Sequence, residues 1–378
     1  MAYNYHYIDD NATELNRSIA RGWKIPDSLD ITPHDATAWD NQVAQIAQLI
    51  SNGVSGFILD WRLNEQGTNI HYSAEALAEQ IRFIIKDQNS AAVPIILVSQ
   101  SIDDFRRRYE GNLNVNGLFD SHYSKEELMT ESNKQQIMSI AAAYQTLNDL
   151  TSSNANHEEK IQRLFSIPTC SNLHPDFIES LQIKMGISIS DTVQFILNSV
   201  VLHPSFLIEE DWVAARLGID KANSFDWDIL KNDFLASAKY NGIFANAWER
   251  WWMFGIEQWW RSNMVDKSLQ NTSAPERVDK IKVYTGLQNL VAATKLPLCK
   301  SDNFWTICEG HKRPLSNMDG FVIRGQSNLA IWQEKKQVSL DAAIQRINID
   351  EWEAIAAQYK PKFEKLNSFY ADRYSTTT

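Results

Sequence analysis

The sequence has few cysteines, no long apolar run and no export signal. Its three cysteines, Cys170, Cys299 and Cys308, are widely spaced, which argues against a disulfide framework and a CxxC metal site and suits a reducing compartment. No run of about 18 apolar residues occurs, and the N-terminus lacks a basic stretch followed by an apolar one. We therefore expect a cytoplasmic protein with no membrane partner.

Basic residues are also in deficit, and familiar catalytic motifs are missing. The 36 lysines and arginines against 47 acidic residues give a net charge of −11, which opposes binding to nucleic acid. A helix-turn-helix is one interpretation of 212–220, but the segment that follows is no more basic than acidic. No GxSxG, P-loop or HExxH motif occurs. Pairing Cys308 with His311 as nucleophile and base rests only on their proximity in sequence.

The first 150 residues alternate short apolar segments with amphipathic ones. The predicted strands are 5–8, 29–31, an apolar run in 56–63 that ends at Asp60, 93–99, and an edge strand that starts at 117–119. The predicted helices are 12–19, 38–50, 73–86, 102–109 and 126–150. This alternation is typical of a doubly wound, five-stranded parallel sheet.

Polar residues follow several of these strands. Right-handed crossovers bring the carboxyl ends of parallel strands to one rim, where α/β sheets bind ligands. The residues expected on that rim are Asp9, Asp10, Asp60, Ser99 and Lys125. Each has an ordinary explanation by itself, because Asp-Asp-Asn is a common turn and helix cap and a single lysine is usually solvated.

Together these residues predict a phosphoryl-transfer site. Three carboxylates in one crevice repel each other unless a cation is present, and Mg²⁺ accepts carboxylate, water and phosphoryl oxygens. Asp60 would be the nucleophile that becomes an aspartyl phosphate. The Ser99 hydroxyl and the Lys125 ammonium would contact the other phosphoryl oxygens.

This pattern resembles the receiver domain of two-component signalling. In that family an acidic pair follows the first strand, the phospho-accepting Asp follows the third, Ser or Thr follows the fourth, and Lys lies by the fifth. The matching residues, in type and order, are Asp9-Asp10, Asp60, Ser99 and Lys125. Trp61, directly after the acceptor, recurs in some receivers.

The resemblance implies a strand order of 2-1-3-4-5 and a histidine kinase as phosphoryl donor. It also implies that Asp9, Asp10, Asp60 and the backbone carbonyl of Arg62 bind Mg²⁺, and that the chain catalyses only its own phosphorylation. Gln100, Asn64 and Glu126 replace the family's usual residues. In these positions the chain is similar to divergent receivers of bacterial conflict systems, including antiphage ones.

The second half has no recognisable motif. A polar linker at 151–157 separates the predicted receiver-like domain, 1–150, from a mainly α-helical domain, 158–378. Expected features include one helix over 228–262 or two helices broken near Gly242, a hairpin from 320–325 and 329–332, and a closing helix at 350–366. A tryptophan-rich stretch, 248–260, is either a buried packing face or a recognition surface.

The sequence therefore predicts a signalling protein that accepts a phosphoryl group on Asp60 and acts as a regulator, phosphate sink or effector. Two alternatives are open: a receiver-like interaction module that is not phosphorylated, and a C-terminal enzyme effector controlled by the receiver. Candidate partners are a histidine kinase, a second receiver-bearing protein, the chain's own C-terminal domain and a second copy of the chain.

Overall fold

A computed structural model of the protein describes residues 2–10, 14–64, 70–109, 117–264, 268–348 and 355–374. The chain divides into two compact units. The first comprises Met1–Asn198 with Asn241–Trp248, and the second comprises Ser199–Tyr240 with Glu249–Thr378. The predicted linker, 151–157, lies inside the first unit, where it spans the end of one helix and the start of the next.

A five-stranded parallel sheet forms the centre of the first unit. Its strands are β1 (Tyr3–Asp9), β2 (Leu29–Asp35), β3 (Gly56–Asp60), β4 (Ile95–Ser99) and β5 (Ser121–Ser124). Their order across the sheet is β2-β1-β3-β4-β5, and every neighbouring pair is parallel. This confirms the predicted fold class and strand order.

Helices connect the strands and extend the unit beyond the sheet. They are α1 (Glu14–Gly22), α2 (Trp39–Ser51), α3 (Ala74–Asp87), α4 (Ile102–Arg108), α5 (Glu131–Ser152), α6 (His157–Phe165), α7 (Pro175–Ile187) and α8 (Ile189–Ile196). The side chain of Ser73 caps α3 and that of Thr130 caps α5, because each oxygen accepts a backbone N–H of the first turn.

The middle strands are buried on both faces, as their unbroken apolar runs predict. Every residue of β3 and of β4 is buried, and Phe57 and Leu97 are fully so. Burying side chains of this size contributes about 1.5–3 kcal/mol each. The sheet therefore forms a rigid base for the side chains at its rim.

The fifth strand begins later than predicted. Leu118 and Phe119 pack against the core, but the strand itself is Ser121–Ser124, which pairs with residues 96–99 of β4. An edge strand can alternate polar and apolar residues. The prediction relied on apolar residues and therefore placed the start of β5 too early in the chain.

A buried acid, Asp120, holds together the amino ends of β4 and β5. Asp120 Oδ2 accepts hydrogen bonds from Arg82 Nη2 and from the backbone N–H of Ile95, both at 2.8 Å. Asp120 Oδ1 accepts the Tyr144 hydroxyl, also at 2.8 Å. We call Arg82, Asp120 and Tyr144 the Asp120 cluster.

The second unit combines helices with two small sheets. Its helices are α9 (Glu210–Leu217), α10 (Met253–Asn263), α11 (Ala274–Thr285), α12 (Leu340–Gln345) and α13 (Lys360–Tyr374), with a short turn at Trp227–Ile229. Its strands are β6 (Leu207–Ile208), β7 (Trp251–Trp252), β8 (Thr306–Cys308), β9 (Arg313–Leu315), β10 (Gly320–Val322) and β11 (Gln337–Ser339). They form a β10-β11-β8-β9 sheet and a β6-β7 pair.

Three expectations for this half need correction. The break predicted near Gly242 is present but longer than expected, because 239–250 contains turns and no helix, and Phe244 there has a positive φ of 72° that helical backbone does not allow. Strand β10 pairs with 337–339 rather than 329–332, so the apolar run in the latter is not a strand. The closing helix begins at Lys360, and residues 350–354 of the predicted helix lie outside the described part of the chain.

The tryptophan-rich stretch is buried, which confirms its interpretation as a packing face. An apolar core of the second unit includes Trp212, Trp227, Trp251, Trp259 and Trp260. Trp251 and Trp252 precede α10 as a short strand, so the two adjacent rings can pack on different sides. Among the described residues, no helix combines the length and apolarity needed to cross a bilayer.

Candidate functional site

Three of the predicted site residues meet at the carboxyl rim of the sheet. Lys125 Nζ lies 2.9 Å from Asp9 Oδ2 and also contacts Asp60 Oδ2. All three side chains are less than a tenth exposed. Together with Tyr7 they form what we call the rim cluster.

The sheet topology explains this convergence. Asp9 and Asp60 are the last residues of β1 and β3, which are neighbours in the sheet. Lys125 follows β5 directly, and its backbone N–H donates to the Ser99 carbonyl at 3.3 Å. The Trp23 indole donates to the Lys125 carbonyl at 3.1 Å. These two bonds fix the main chain of Lys125 so that its side chain reaches β3 and β1.

Tyr7 completes the cluster, and sequence reasoning missed it. Its hydroxyl donates to Asp9 Oδ2 and lies 3.5 Å from Asp60 Oδ2. Its ring packs edge-on against Trp23, with 5.0 Å between centroids, and Lys125 Nζ lies 5.7 Å from the Tyr7 ring centre. The available signal was spacing, because residues two apart on a strand point to the same face.

Burial and charge together set the protonation of these groups. Burial raises the pKa of Asp60, and the nearby Asp9 carboxylate raises it further, while Lys125 lowers it in part. Burial lowers the pKa of Lys125, but Asp60 and Asp9 outweigh burial and leave it above its ordinary value. Burial and the two carboxylates raise the pKa of Tyr7 well above its usual value. At neutral pH the cluster therefore contains a neutral phenol and a charged ammonium.

Both oxygens of Asp60 have hydrogen-bond donors. Oδ1 accepts the backbone N–H of Arg62 at 3.0 Å, and Oδ2 faces Lys125 and Tyr7. The Arg62 guanidinium lies 5.6 Å from the Trp61 ring centre and 3.6 Å from Asp104, pointing to a half-exposed surface. Arg62 therefore orients Asp60 through its backbone.

The other two predicted residues, Ser99 and Asp10, also lie at the carboxyl ends of their strands. Ser99 ends β4 and is buried, and its Oγ accepts the backbone N–H of Ser101 at 3.1 Å. Asp10 follows β1 and is partly exposed. A direct role for either side chain in phosphoryl binding stays a prediction.

The donor set of the rim cluster fits Mg²⁺ in its chemistry. Mg²⁺ is usually held by one or two carboxylates and several waters, and Asp9 with Asp60 supplies two buried carboxylates. Within the described ranges, no group of three or more His, Cys, Asp and Glu side chains is placed to hold a metal. Coordination by Asp10 and by the Arg62 carbonyl, and Mg²⁺ binding itself, stay predictions.

The second unit offers weaker candidates. Cys308 is fully buried, and His311 Nε2 contacts Asp341 Oδ2 at 2.7 Å, so burial argues against Cys308 as a nucleophile. A cavity of about 160 Å³ has cationic and anionic side chains in its lining, including Arg250 and Glu309. Its mixed charge indicates no particular ligand class.

Comparison with protein-family models, curated proteins and solved structures finds no match to this chain. The parallel sheet in the order β2-β1-β3-β4-β5, flanked by helices, is nevertheless consistent with a receiver-like fold.

Proposed function

We propose that the protein is a receiver-like signalling protein that accepts a phosphoryl group on Asp60 from a histidine kinase. The observation that supports this best is the meeting of Asp9, Asp60 and Lys125 in one buried cluster at the carboxyl rim. A lysine beside paired carboxylates is suited to phosphoryl transfer, because it stabilises negative charge on the transferred oxygens.

In the proposed reaction an Asp60 carboxylate oxygen attacks the phosphorus of a phosphohistidine. A phosphorus–oxygen bond forms, the phosphorus–nitrogen bond breaks, and its electron pair returns to the imidazole, which takes a proton from water. Asp9 and Asp60 would hold Mg²⁺, which would neutralise charge on the phosphoryl oxygens. Lys125 would turn from the carboxylates toward a phosphoryl oxygen.

Phosphorylation would alter contacts that originate at the rim. It replaces the single negative charge of the Asp60 carboxylate by a phosphoryl group with a charge of about −1.5 to −2, which would draw Lys125 and Ser99 toward the new group. Lys125 and Ser99 are joined by a backbone hydrogen bond, so the end of β5 would move with them. The output would be a changed contact with a partner protein or with the C-terminal part. The protein would then act as a regulator, a phosphate sink or an effector. The most specific form of the proposal is a role in antiphage defence.

An interaction module that is not phosphorylated is the second candidate. The engagement of both Asp60 oxygens by Arg62, Lys125 and Tyr7 favours it, because the acceptor is already satisfied. Beryllofluoride with Mg²⁺ mimics an aspartyl phosphate. Trp61 is next to the acceptor, so its emission should report binding there. Unchanged tryptophan emission on adding beryllofluoride would favour this candidate, and a changed emission would favour phosphorylation.

An enzyme effector in the second unit has less support. The polar cavity there is compatible with a ligand, but the tryptophan-rich core is filled with side chains.

The proposal is tested by transfer of radiolabel from an autophosphorylated histidine kinase to wild type, Asp60→Asn and Asp35→Asn. Asp35 is a matched control, because it also ends a strand of this sheet but lies on the surface beside Arg17. We expect label on wild type and Asp35→Asn and none on Asp60→Asn. Equal labelling of all three would rule out Asp60 as the acceptor.

A further inference from the structure

We propose that Tyr7 is a positioning residue that competes with Mg²⁺ for the carboxylates of Asp9 and Asp60. The hydroxyl would hold the acceptor in a resting state that needs no metal. This inference rests on the proposed function for the identity of the metal, and it adds a residue that sets how readily the metal enters.

The phenol lies beside the two carboxylates that would hold a cation. The Tyr7 hydroxyl donates its proton to Asp9 Oδ2 and lies 3.5 Å from Asp60 Oδ2, so it lies between one oxygen of each carboxylate. Lys125 Nζ contacts the same two oxygens. The donors of the protein therefore contact carboxylate oxygens of the two residues that would hold the metal.

Charge explains why such a donor is needed. Both buried carboxylates contact the same ammonium, Lys125 Nζ, so they share its positive charge when both are ionised. Burying two neighbouring carboxylates is costly, and a hydrogen bond from the phenol lowers that cost without adding charge. The hydrogen bond from Tyr7 therefore stabilises the metal-free cluster and lowers its affinity for Mg²⁺.

The two oxygens of Asp60 are held by different kinds of donor, and the phenol lies at the one that can be released. Oδ1 accepts the backbone N–H of Arg62 at 3.0 Å, which only a main-chain movement would release. Oδ2 is held by side chains alone, and side chains can rotate away. Displacing the Tyr7 hydroxyl from Oδ2 is then a step that Mg²⁺ binding would bring about.

The test compares full-length wild type with Tyr7→Phe and Tyr5→Phe. Phe at position 7 keeps the ring that packs on Trp23 and removes the hydroxyl. Tyr5 is a matched control on the same strand, since it is fully buried and its hydroxyl donates to the Ile137 carbonyl at 2.8 Å. The measurements are the Mg²⁺ dissociation constant by calorimetry and the urea midpoint in EDTA and in saturating Mg²⁺.

We expect Tyr7→Phe to bind Mg²⁺ about tenfold more tightly than wild type, the usual effect of one hydrogen bond to a charged group. Its urea midpoint should fall in EDTA and recover in Mg²⁺, because ligand binding stabilises the folded state. Tyr5→Phe should bind Mg²⁺ like wild type and lose the same stability in both buffers. A purely structural role for Tyr7 would give that second pattern.

Unchanged or weaker Mg²⁺ binding by Tyr7→Phe would overturn the inference, and so would undetectable binding by both proteins. Tyr7→Leu, which also lacks the hydroxyl, should shift the dissociation constant in the same direction. The two proposals can fail separately. Tighter Mg²⁺ binding without any labelling of Asp60 would refute the proposed function alone, and labelling of Asp60 with unchanged Mg²⁺ affinity would refute this inference alone.

Discussion

The first unit has two buried acidic clusters, one at the amino ends and one at the carboxyl ends of the strands of one sheet. They differ in the ratio of acidic to basic side chains. In the Asp120 cluster one carboxylate meets one guanidinium, one phenol and a backbone N–H. In the rim cluster two carboxylates share one ammonium and one phenol. A balanced cluster stabilises the fold, whereas neighbouring carboxylates that share one ammonium are expected where a cation is to bind.

Replacing Asp120 should have the largest effect on stability. Asp120→Ala removes the carboxylate that accepts hydrogen bonds from Arg82 Nη2, the Tyr144 hydroxyl and the Ile95 N–H. We expect the free energy of unfolding to fall by about 3 kcal/mol, as for other broken buried ion pairs. Urea unfolding measures this, and Mg²⁺ should not restore it. A loss below about 1 kcal/mol would show that this cluster is not structural.

Replacing Lys125 should have a smaller effect that depends on the metal. Lys125→Met leaves Asp9 and Asp60 without their ammonium, but one carboxyl can take a proton, so we expect a loss of about 2 kcal/mol in EDTA at neutral pH. Urea unfolding with added Mg²⁺ should recover part of it. Equal losses in EDTA and in Mg²⁺ would remove the distinction between the two clusters.

Asp60→Asn should stabilise the fold, by about 1 kcal/mol at neutral pH, because it leaves one carboxylate facing one ammonium. The pKa of Asp60 is raised in the folded protein, so the folded state binds this proton more tightly than the unfolded state. Stability from the protonated form is present below the unfolded pKa, about 3.9, and is lost as pH rises through the folded pKa. The advantage of Asn should therefore appear above the folded pKa and vanish in acid.

Urea unfolding of wild type and Asp60→Asn across this pH range measures the difference. A variant less stable than wild type at neutral pH would mean that Asp60 contributes to the fold as Asp120 does.

Arg62→Ala should have the smallest effect. Its guanidinium lies 3.6 Å from Asp104 with both side chains about half exposed, at 47% and 48%, and such pairs contribute less than about 1 kcal/mol. The backbone N–H that Asp60 accepts is retained. Thermal unfolding should hardly change, and a large loss would show that the side chain of Arg62 belongs to the rim cluster.

The parts of the site that sequence could predict are those set by strand ends. The buried runs that end at Asp60 and Ser99 located their strands, and parallel topology brought Asp9, Asp60 and Lys125 together. Tyr7 was missed because its role depends on how far a ring reaches across the sheet, which spacing alone does not give. The same limit explains the late start of β5, where apolar residues pack without pairing.

The second half was harder to predict for a related reason. Its core is built from tryptophans on short, irregular segments rather than on long periodic ones. The helix prediction for 228–262 was therefore only partly correct, and the strand that pairs with β10 was predicted at the wrong position.

The most direct test of the central claim is to locate the phosphoryl group after incubation with phosphoramidate, a small phosphodonor that needs no kinase. Mass spectrometry of the intact and digested chain would then identify the modified residue. We predict one phosphoryl group per chain, on Asp60, formed with Mg²⁺ and not in EDTA. No modification in the presence of Mg²⁺, or modification of another residue, would contradict the assignment of the rim cluster as a phospho-acceptor site.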